Sequence, residues 1–449
     1  MFNRKLLKEL NEWKDRRNRK PLIIRGVRQV GKTTLVDLFA KNFKQYIYLN
    51  LEQFSDKKIF EDSVNFEETL DAIFFLKNAS KNIEDTLIFI DEIQNSPQAI
   101  SSLRYFYENS NNAFVIAAGS LLDALINDSS SFPVGRVEFL ALHPVSFQEF
   151  IFASGQKNIT DAYNITPLPR YAFDKLNEFY KIYSLIGGMP EVINNYLTEK
   201  DLSKIKAIIS NLVISFKDDI EKYAKNISSQ NILRHIIEHS FFNAGSRIKF
   251  QGFGNSNYRS REVGEAFRLL EKTMIIKLIY PVTQGILPLI ADKKKSPKLQ
   301  IVDTGLINFS IGIEKEIFST SDLSDVYRGR IAEHIVGQEL QTLSSIPSVK
   351  INFWVRDKRQ SEAEIDFLYV KNGKIYPVEV KAGATGKLKS LHQFIDTYKN
   401  KLAIRFYSGP IKIDTLKTKN NYKFTLLNLP YFLCGKIDEY IEWTEAQIH

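Results

Sequence analysis

The stretch Gly26-Val27-Arg28-Gln29-Val30-Gly31-Lys32-Thr33-Thr34 constrains this chain more than any other. It places glycine, glycine, lysine and a hydroxyl residue at the fixed positions of a phosphate-binding loop. The apolar run Leu22-Ile23-Ile24 before it predicts a short buried strand, and Leu35 to Ala40 after it predicts a helix. In that setting, successive backbone N–H groups turn toward phosphate oxygens, and the helix N-terminus adds partial positive charge. Gly26 through Thr34 are therefore expected to cradle phosphates. Lys32 reaches the β- and γ-phosphates, and the Thr33 hydroxyl holds Mg²⁺.

A second signal agrees with the first. Thr86 to Ile90 reads as a buried strand, and Asp91 and Glu92 sit at its carboxyl end, where parallel α/β sheets bind ligands. Asp91 is expected in the Mg²⁺ shell, and Glu92 is expected to orient or deprotonate the attacking water. Phe114 to Gly119 is a further buried strand, and Ser120 at its end is a candidate to sense the γ-phosphate. Arg136 follows Gly135 in a loop and is a candidate arginine finger, the alternative being an ordinary surface ion pair. A finger acts across a subunit boundary, so that role implies a homo-oligomer. The ligands these motifs call for are ATP and Mg²⁺.

These runs, with VGRVEFLALHPVSFQEF, IGGMPEV, KLQIVDTGL and the EIDF…VEVK pair, resemble a family of bacterial and archaeal AAA+-like ATPases. The C-terminal half of that family carries a domain of unknown function with a restriction-nuclease-like fold. The resemblance implies an α/β chain with four parts. They are a P-loop AAA+-like parallel-sheet domain at 1–150, a helical lid and linker at 151–225, a winged helix at 226–297, and a restriction-endonuclease-like α/β domain at 298–449.

Val263, Ala266, Phe267 and Leu270 mark the buried face of a helix whose outward face carries Arg259, Arg261, Arg268 and Lys272. Ile275 to Ile279 and Ile286 to Ile290 flank Gly285 and read as a β wing. The net charge of +9 is concentrated here, because residues 241–300 hold eleven Lys/Arg and four acids. DNA is the expected partner of such a face, with a protein-docking spacer as the alternative.

Further on, Asn372-Gly373 predicts a hairpin turn between Glu364–Val370 and Ile375–Lys381. Glu379 and Lys381 are two apart and share a face, with Asp366 across the hairpin. Asp366, Glu379 and Lys381 thus form the D…E-x-K pattern of PD-(D/E)XK nucleases. Asp366 and Glu379 are expected to hold Mg²⁺, with Glu333 as an added ligand and Lys381 orienting water. The alternative is a fold kept for binding with its chemistry lost. The one cysteine, Cys434, excludes internal disulfides and suits a reducing cytoplasm, and no apolar stretch approaches a membrane span.

Overall fold

The computed structural model describes all residues except 1, 111, 120–131, 223, 225, 314–328, 348, 358–362, 382–387 and 449. The candidate Ser120 lies outside the described residues.

Short apolar runs without alternation are what a sheet covered on both faces requires. They form the central strands β1 (Leu22–Arg25), β3 (Thr86–Asp91) and β4 (Phe114–Gly119), while β2 (Gln45–Asn50) and β5 (Glu138–Ala141) are half-covered edge strands. All pairs are parallel, in the order β2-β3-β4-β1-β5. Ile23, Ile47, Ile88 and Ile90 face the helices Phe54–Asp62 and Pro97–Asn109. Leu22, Ile24 and Phe89 face the helices Leu6–Asp15 and Lys32–Ala40, with Trp13 packed edge-on to Phe114.

The stretch from Phe147 to Glu221, which overlaps the expected helical segment 151–225, is built of helices joined by short turns, and the long helix Leu202–Glu221 closes it. The turn before the helix Pro190–Glu199 depends on Gly187, whose φ is 76°. The helices Ile227–Asn243 and Ser260–Lys272 bury Ile232, Ile236, Val263, Phe267 and Leu270.

The expected wing does not form. Pro288 has no N–H for a ladder, and Ile286 and Ile290 are left exposed. Instead, β6 (Ile276–Ile279) pairs antiparallel with β8 (Lys298–Ile301), whose Leu299 and Ile301 are buried. The intervening β7 (Pro281–Val282) leaves to join a different sheet.

That sheet is built after the helix Arg330–Gln341. It comprises β9 (Asn352–Val355), β10 (Glu364–Lys371), β11 (Lys374–Val380), β12 (Leu402–Tyr407), β13 (Lys412–Lys417) and β14 (Lys423–Pro430). The order is β13-β14-β12-β11-β10-β9-β7. The helices Lys389–Tyr398 and Ile437–Ile448 complete the chain. Asn372 and Gly373 both have positive φ, 49° and 71°, so the expected hairpin turn is present.

Main-chain pairing crosses the expected boundary at 297/298 twice, through β6–β8 and β7–β9. The core crosses it as well. One continuous apolar cluster runs from Leu6 through Phe147, Tyr183 and Phe267 to Ile441. Among the described residues, no helix is long and apolar enough to cross a membrane.

Candidate functional site

Gly31 has φ 94°, and a Cβ on Gly26 would lie 2.7 Å from the carbonyl oxygen of Leu142, so both glycines are required where they stand. The loop they shape ends in the helix Lys32–Ala40. Lys32 is buried, and its Nζ donates to the carbonyls of Gly26 and Val27 at 3.0 and 3.2 Å. Burial lowers its pKa, against the pull of Glu92 and Asp91. Such an ammonium has weak local partners and gains by meeting phosphate.

Thr33 Oγ1 donates to Asp91 Oδ2 at 2.7 Å, and the Tyr48 hydroxyl donates to the same oxygen at 3.3 Å. A loop hydroxyl and a strand-end carboxylate in contact are the oxygen pair that suits Mg²⁺, so the residues present fit that ion. Glu92 follows in the left-handed region, with φ 52°, and accepts from Gln94 Nε2. Burial raises its pKa and Asp91 adds to the rise, while Gln94 and Lys32 oppose it. A carboxylate with raised proton affinity is a better proton acceptor from water.

Arg28, inside the loop, is ion-paired to Asp219 of the helix Leu202–Glu221 at 2.5 Å. Pro190 lies against Gly31, since a Cβ on that glycine would stand 3.7 Å from Pro190 Cγ. Both contacts tie the loop to the helical segment, and the residues of the loop motif alone give neither.

Arg136 lies away from this site. It precedes the first residue of β5, at the amino edge of a parallel sheet whose carboxyl edge carries Asp91 and the loop. Its Nε pairs with Glu108 at 3.1 Å. Within one chain it is a surface ion pair.

The second constellation assembles around β10 and β11. Phe367 opposes Val378, so the next step along the hairpin sets Asp366 opposite Glu379. A register shift between Ile365 and Leu368 marks a bulge beside Asp366. Asp366 Oδ2 accepts from the Val380 N–H at 2.8 Å. Lys381 Nζ contacts Glu379 and lies 4.0 Å from Asp366. The expected Asp366, Glu379 and Lys381 are therefore together.

Among the described residues, Glu333, Glu364 and Asp366 bring candidate ligand oxygens within 4.8 Å of one another, a group that includes two of the expected ligands and not Glu379. Glu379 is turned to Lys381, and its Oε1 is buried without a hydrogen-bond partner among the described residues. Lys298, from β8, lies among the three carboxylates. Its Nζ contacts Glu333, is 2.6 Å from Glu364 and 3.9 Å from Asp366, and sits 4.6 Å from the centre of the Phe353 ring. Burial works against its charge, but Glu333, Asp366 and Glu364 outweigh it, so its pKa is raised. Arg247 is 3.6 Å from Glu364. Four carboxylates thus face three cations. As placed, the three carboxylates do not fit a divalent ion, because an ammonium already stands among them.

Sequence reasoning missed Lys298 and Glu364. Glu364 was available to it, being two residues before Asp366 on the same strand face. Lys298 was legible only as part of KLQIVDTGL, with no partner to point to.

On the outward face of Ser260–Lys272, Arg259, Arg261 and Arg268 are exposed and Lys272 is half-buried. Arg261 pairs with Glu265. Arg268 and Lys272 also line an interdomain cavity.

Comparison with known proteins places the first site in a family setting. Residues 18–151 match an AAA domain. Residues 177–317 and 328–431 match two domains of unknown function, DUF8612 and DUF4143. An uncharacterized protein of Haemophilus influenzae is 24% identical over 416 residues, covering 88% of this chain and 91% of that protein. Among solved structures, a Walker-type ATPase of Pyrococcus abyssi is 14% identical with a TM-score of 0.46, over 69% of this chain and 96% of that one. A signal-transduction ATPase with a tetratricopeptide repeat sensor, from Pyrococcus horikoshii, is 16% identical with a TM-score of 0.28, over 74% of this chain and 46% of that one. The AAA domain match, over the segment that holds Gly26–Thr34, Asp91 and Glu92, supports an AAA+-like P-loop ATPase.

Proposed function

We propose that the protein binds and hydrolyses ATP with Mg²⁺ at the phosphate loop, and that nucleotide state is passed to a C-terminal half that engages DNA. The observation that carries the first part is the Thr33–Asp91 bond of 2.7 Å beside a lysine that donates to two loop carbonyls. Thr33 and Asp91 would hold the ion, which neutralises charge on the phosphates. Lys32 and the loop N–H groups bind the phosphates, and Glu92 accepts the proton of the attacking water. Arg136, remote from the site of its own chain, acts on a neighbour's nucleotide if the protein assembles as a homo-oligomer.

A physical route for the coupling starts at Pro190, beside Gly31. Two residues earlier, the Gly188 N–H donates to Asp303 Oδ2 at 2.5 Å. Asp303 is five residues from Lys298, at the other end of the same run. Glu339, on the helix that carries Glu333, accepts from the Tyr183 hydroxyl at 2.6 Å.

The DNA part rests on weaker ground. A helix, three antiparallel strands, a helix and a parallel strand, with Asp366, Glu379 and Lys381 converging, is the arrangement expected of a PD-(D/E)XK-like domain. The pair of helices at 227–272 is what remains of the winged-helix reading. Lys298 favours a second reading, an ATP-driven interaction switch in which the cluster is structural and cuts nothing.

Purified protein incubated with plasmid, Mg²⁺ or Mn²⁺, with and without ATP, separates the two. Phosphate release that is lost in Lys32→Ala supports the ATPase. Nicking that is lost in Lys381→Ala supports the nuclease reading, and intact plasmid with normal ATP turnover supports the switch.

A further inference from the structure

Between the ATPase sheet, the helix Ser260–Lys272 and the C-terminal half lies a cavity of about 440 Å³. Its volume falls in the range of small-molecule sites. Val27, Leu142, Ile276, Ile301 and Leu340 supply an apolar wall. The remaining wall is strongly cationic. Arg25 comes from the end of β1, Arg268, Lys272 and Lys277 come from the middle of the chain, and Lys350 comes from the C-terminal half.

Four of these cations are not held in an ion pair among the described residues, and the carboxylate on this wall that acts on Lys277 and Lys350 is Glu271. Arg268, Lys272, Lys277 and Lys350 make no side-chain hydrogen bond and no ion pair within 4.0 Å with a described residue. The carboxylate on the wall, Glu271, accepts the Leu278 N–H at 2.8 Å. Lys277 is the informative member. It lies on β6 and is largely covered, and burial lowers its pKa, against the attraction of Glu271 and with added repulsion from Lys350. A covered ammonium without a partner is costly, whereas the same group facing a bound anion is favourable. Elsewhere this chain meets that need internally, as Lys298 and Lys436 are held by carboxylates or carbonyls.

We propose that this cavity binds a small phosphorylated organic anion, with its phosphoryl groups on Lys277, Arg268, Lys272 and Lys350 and its organic part on the apolar wall. Volume and lining both suit a nucleotide-sized molecule. The site is separate from the phosphate loop but shares a wall with it, since Arg25 and Val27 flank Gly26. A ligand here would touch all three parts of the chain at once.

The test uses the full chain carrying Lys32→Ala, which removes the phosphate-loop lysine. ADP and, separately, inorganic pyrophosphate are titrated in by calorimetry without Mg²⁺. One saturable site is expected, with ADP tighter than pyrophosphate because the apolar wall adds to the contact. Adding Lys277→Met should weaken it at least about tenfold, the scale of one charge-assisted contact. The same substitution should leave the melting temperature of the free protein unchanged or raised, because it removes an unpaired charge; a structural lysine would give a fall. Arg268→Ser with Lys272→Ser, nearer the surface, should weaken binding by a similar factor, and it decides the matter if Lys277→Met does not fold. Absence of saturable binding by either probe, or binding unchanged in these variants, overturns the proposal. So does binding of a 5′-phosphorylated DNA duplex through these residues when neither small probe binds, which would make the wall a nucleic-acid contact.

Discussion

At the phosphate loop and at the C-terminal cluster the same residue types, lysine and carboxylate, are paired in opposite ways. Lys32 rests on two carbonyl oxygens, and Asp91 is held by the hydroxyls of Thr33 and Tyr48. Among the described residues, neither charge is matched by an opposite charge at ion-pair distance, an arrangement that suits Mg²⁺ and phosphate. At the C-terminal cluster, Lys298 and Lys381 are already set against Glu333, Glu364 and Glu379. A motif states which residues are present, and their pairing determines what they can still bind.

The largest effects that sharpen this contrast belong to the first site. Glu92→Gln should lower the rate of ATP hydrolysis by about 10²–10⁴-fold, the usual range for a general base, while ATP affinity stays nearly unchanged. Single-turnover phosphate release beside a nucleotide-binding titration checks both parts. Hydrolysis at the wild-type rate would remove Glu92 from the role. Lys32→Ala should weaken ATP binding about a hundredfold, because a covered charge contact to phosphate is lost. The same change at Lys298 should leave ATP affinity alone, and a matching loss there would break the contrast.

The second site should respond in stability. Lys298→Met leaves three carboxylates facing one another, and breaking a buried pair by removing one partner costs about 3–5 kcal/mol. The melting temperature should fall. Added Mn²⁺ should recover more of it in the variant than in the wild type, since an ion can then take the ammonium's place. Equal response of the two proteins to Mn²⁺ would show that Lys298 does not occupy the ion's position.

Much of this was legible beforehand, for identifiable reasons. The phosphate loop, β3 with Asp91 and Glu92, and the Asn372-Gly373 hairpin rest on local rules, and each is where it was expected. The wing at Ile286–Ile290 failed because two apolar runs around a glycine predict a hairpin only if each is the other's best partner. Here β6 found Leu299 and Ile301, farther along the chain. Lys298 was invisible for a related reason. Its partners are 35 residues or more away, and no periodicity records a contact across that separation. At 297/298 composition marks a charged loop, and the sheets pair across it, a contact that composition does not record.

The pH dependence tests a junction that serves both sites. His143, at the end of the ATPase sheet, is half-buried and faces the carbonyl of Ser344 at 3.2 Å. Burial depresses its pKa to about 4, Lys277 and Arg4 add to the effect, and the Ser344 carbonyl and Glu149 oppose it. The folded state thus binds this proton less readily than the unfolded chain, whose histidine titrates near the ordinary value of 6.5. The sign follows: its contribution is intact above about pH 6.5 and is lost progressively as pH falls toward 4, by about 3 kcal/mol. His143→Gln should flatten the denaturation midpoint across that interval relative to wild type, and an unchanged slope would place the acid sensitivity elsewhere.

The smallest expected effect concerns DNA, and it compares the two halves of one helix face. Arg261 is exposed and paired with Glu265, four residues on, a surface pair worth at most about 1 kcal/mol. Reversing it should leave the melting temperature unchanged. If this half of the face contacts a duplex, Arg261→Glu should weaken binding uniformly across sequences and reduce the salt slope by about one, the signature of one lost phosphate contact. Arg268 shares the helix and is exposed as well, but it lines the interdomain cavity; if its charge serves the cavity, Arg268→Glu should leave that slope unchanged while disturbing the cavity. Salt titrations of duplex binding on the two variants read the difference directly. Equal loss in both would join the cavity to the DNA surface, whereas no change in either would remove this helix from DNA recognition and leave the interaction-switch reading as the stronger account of the C-terminal half.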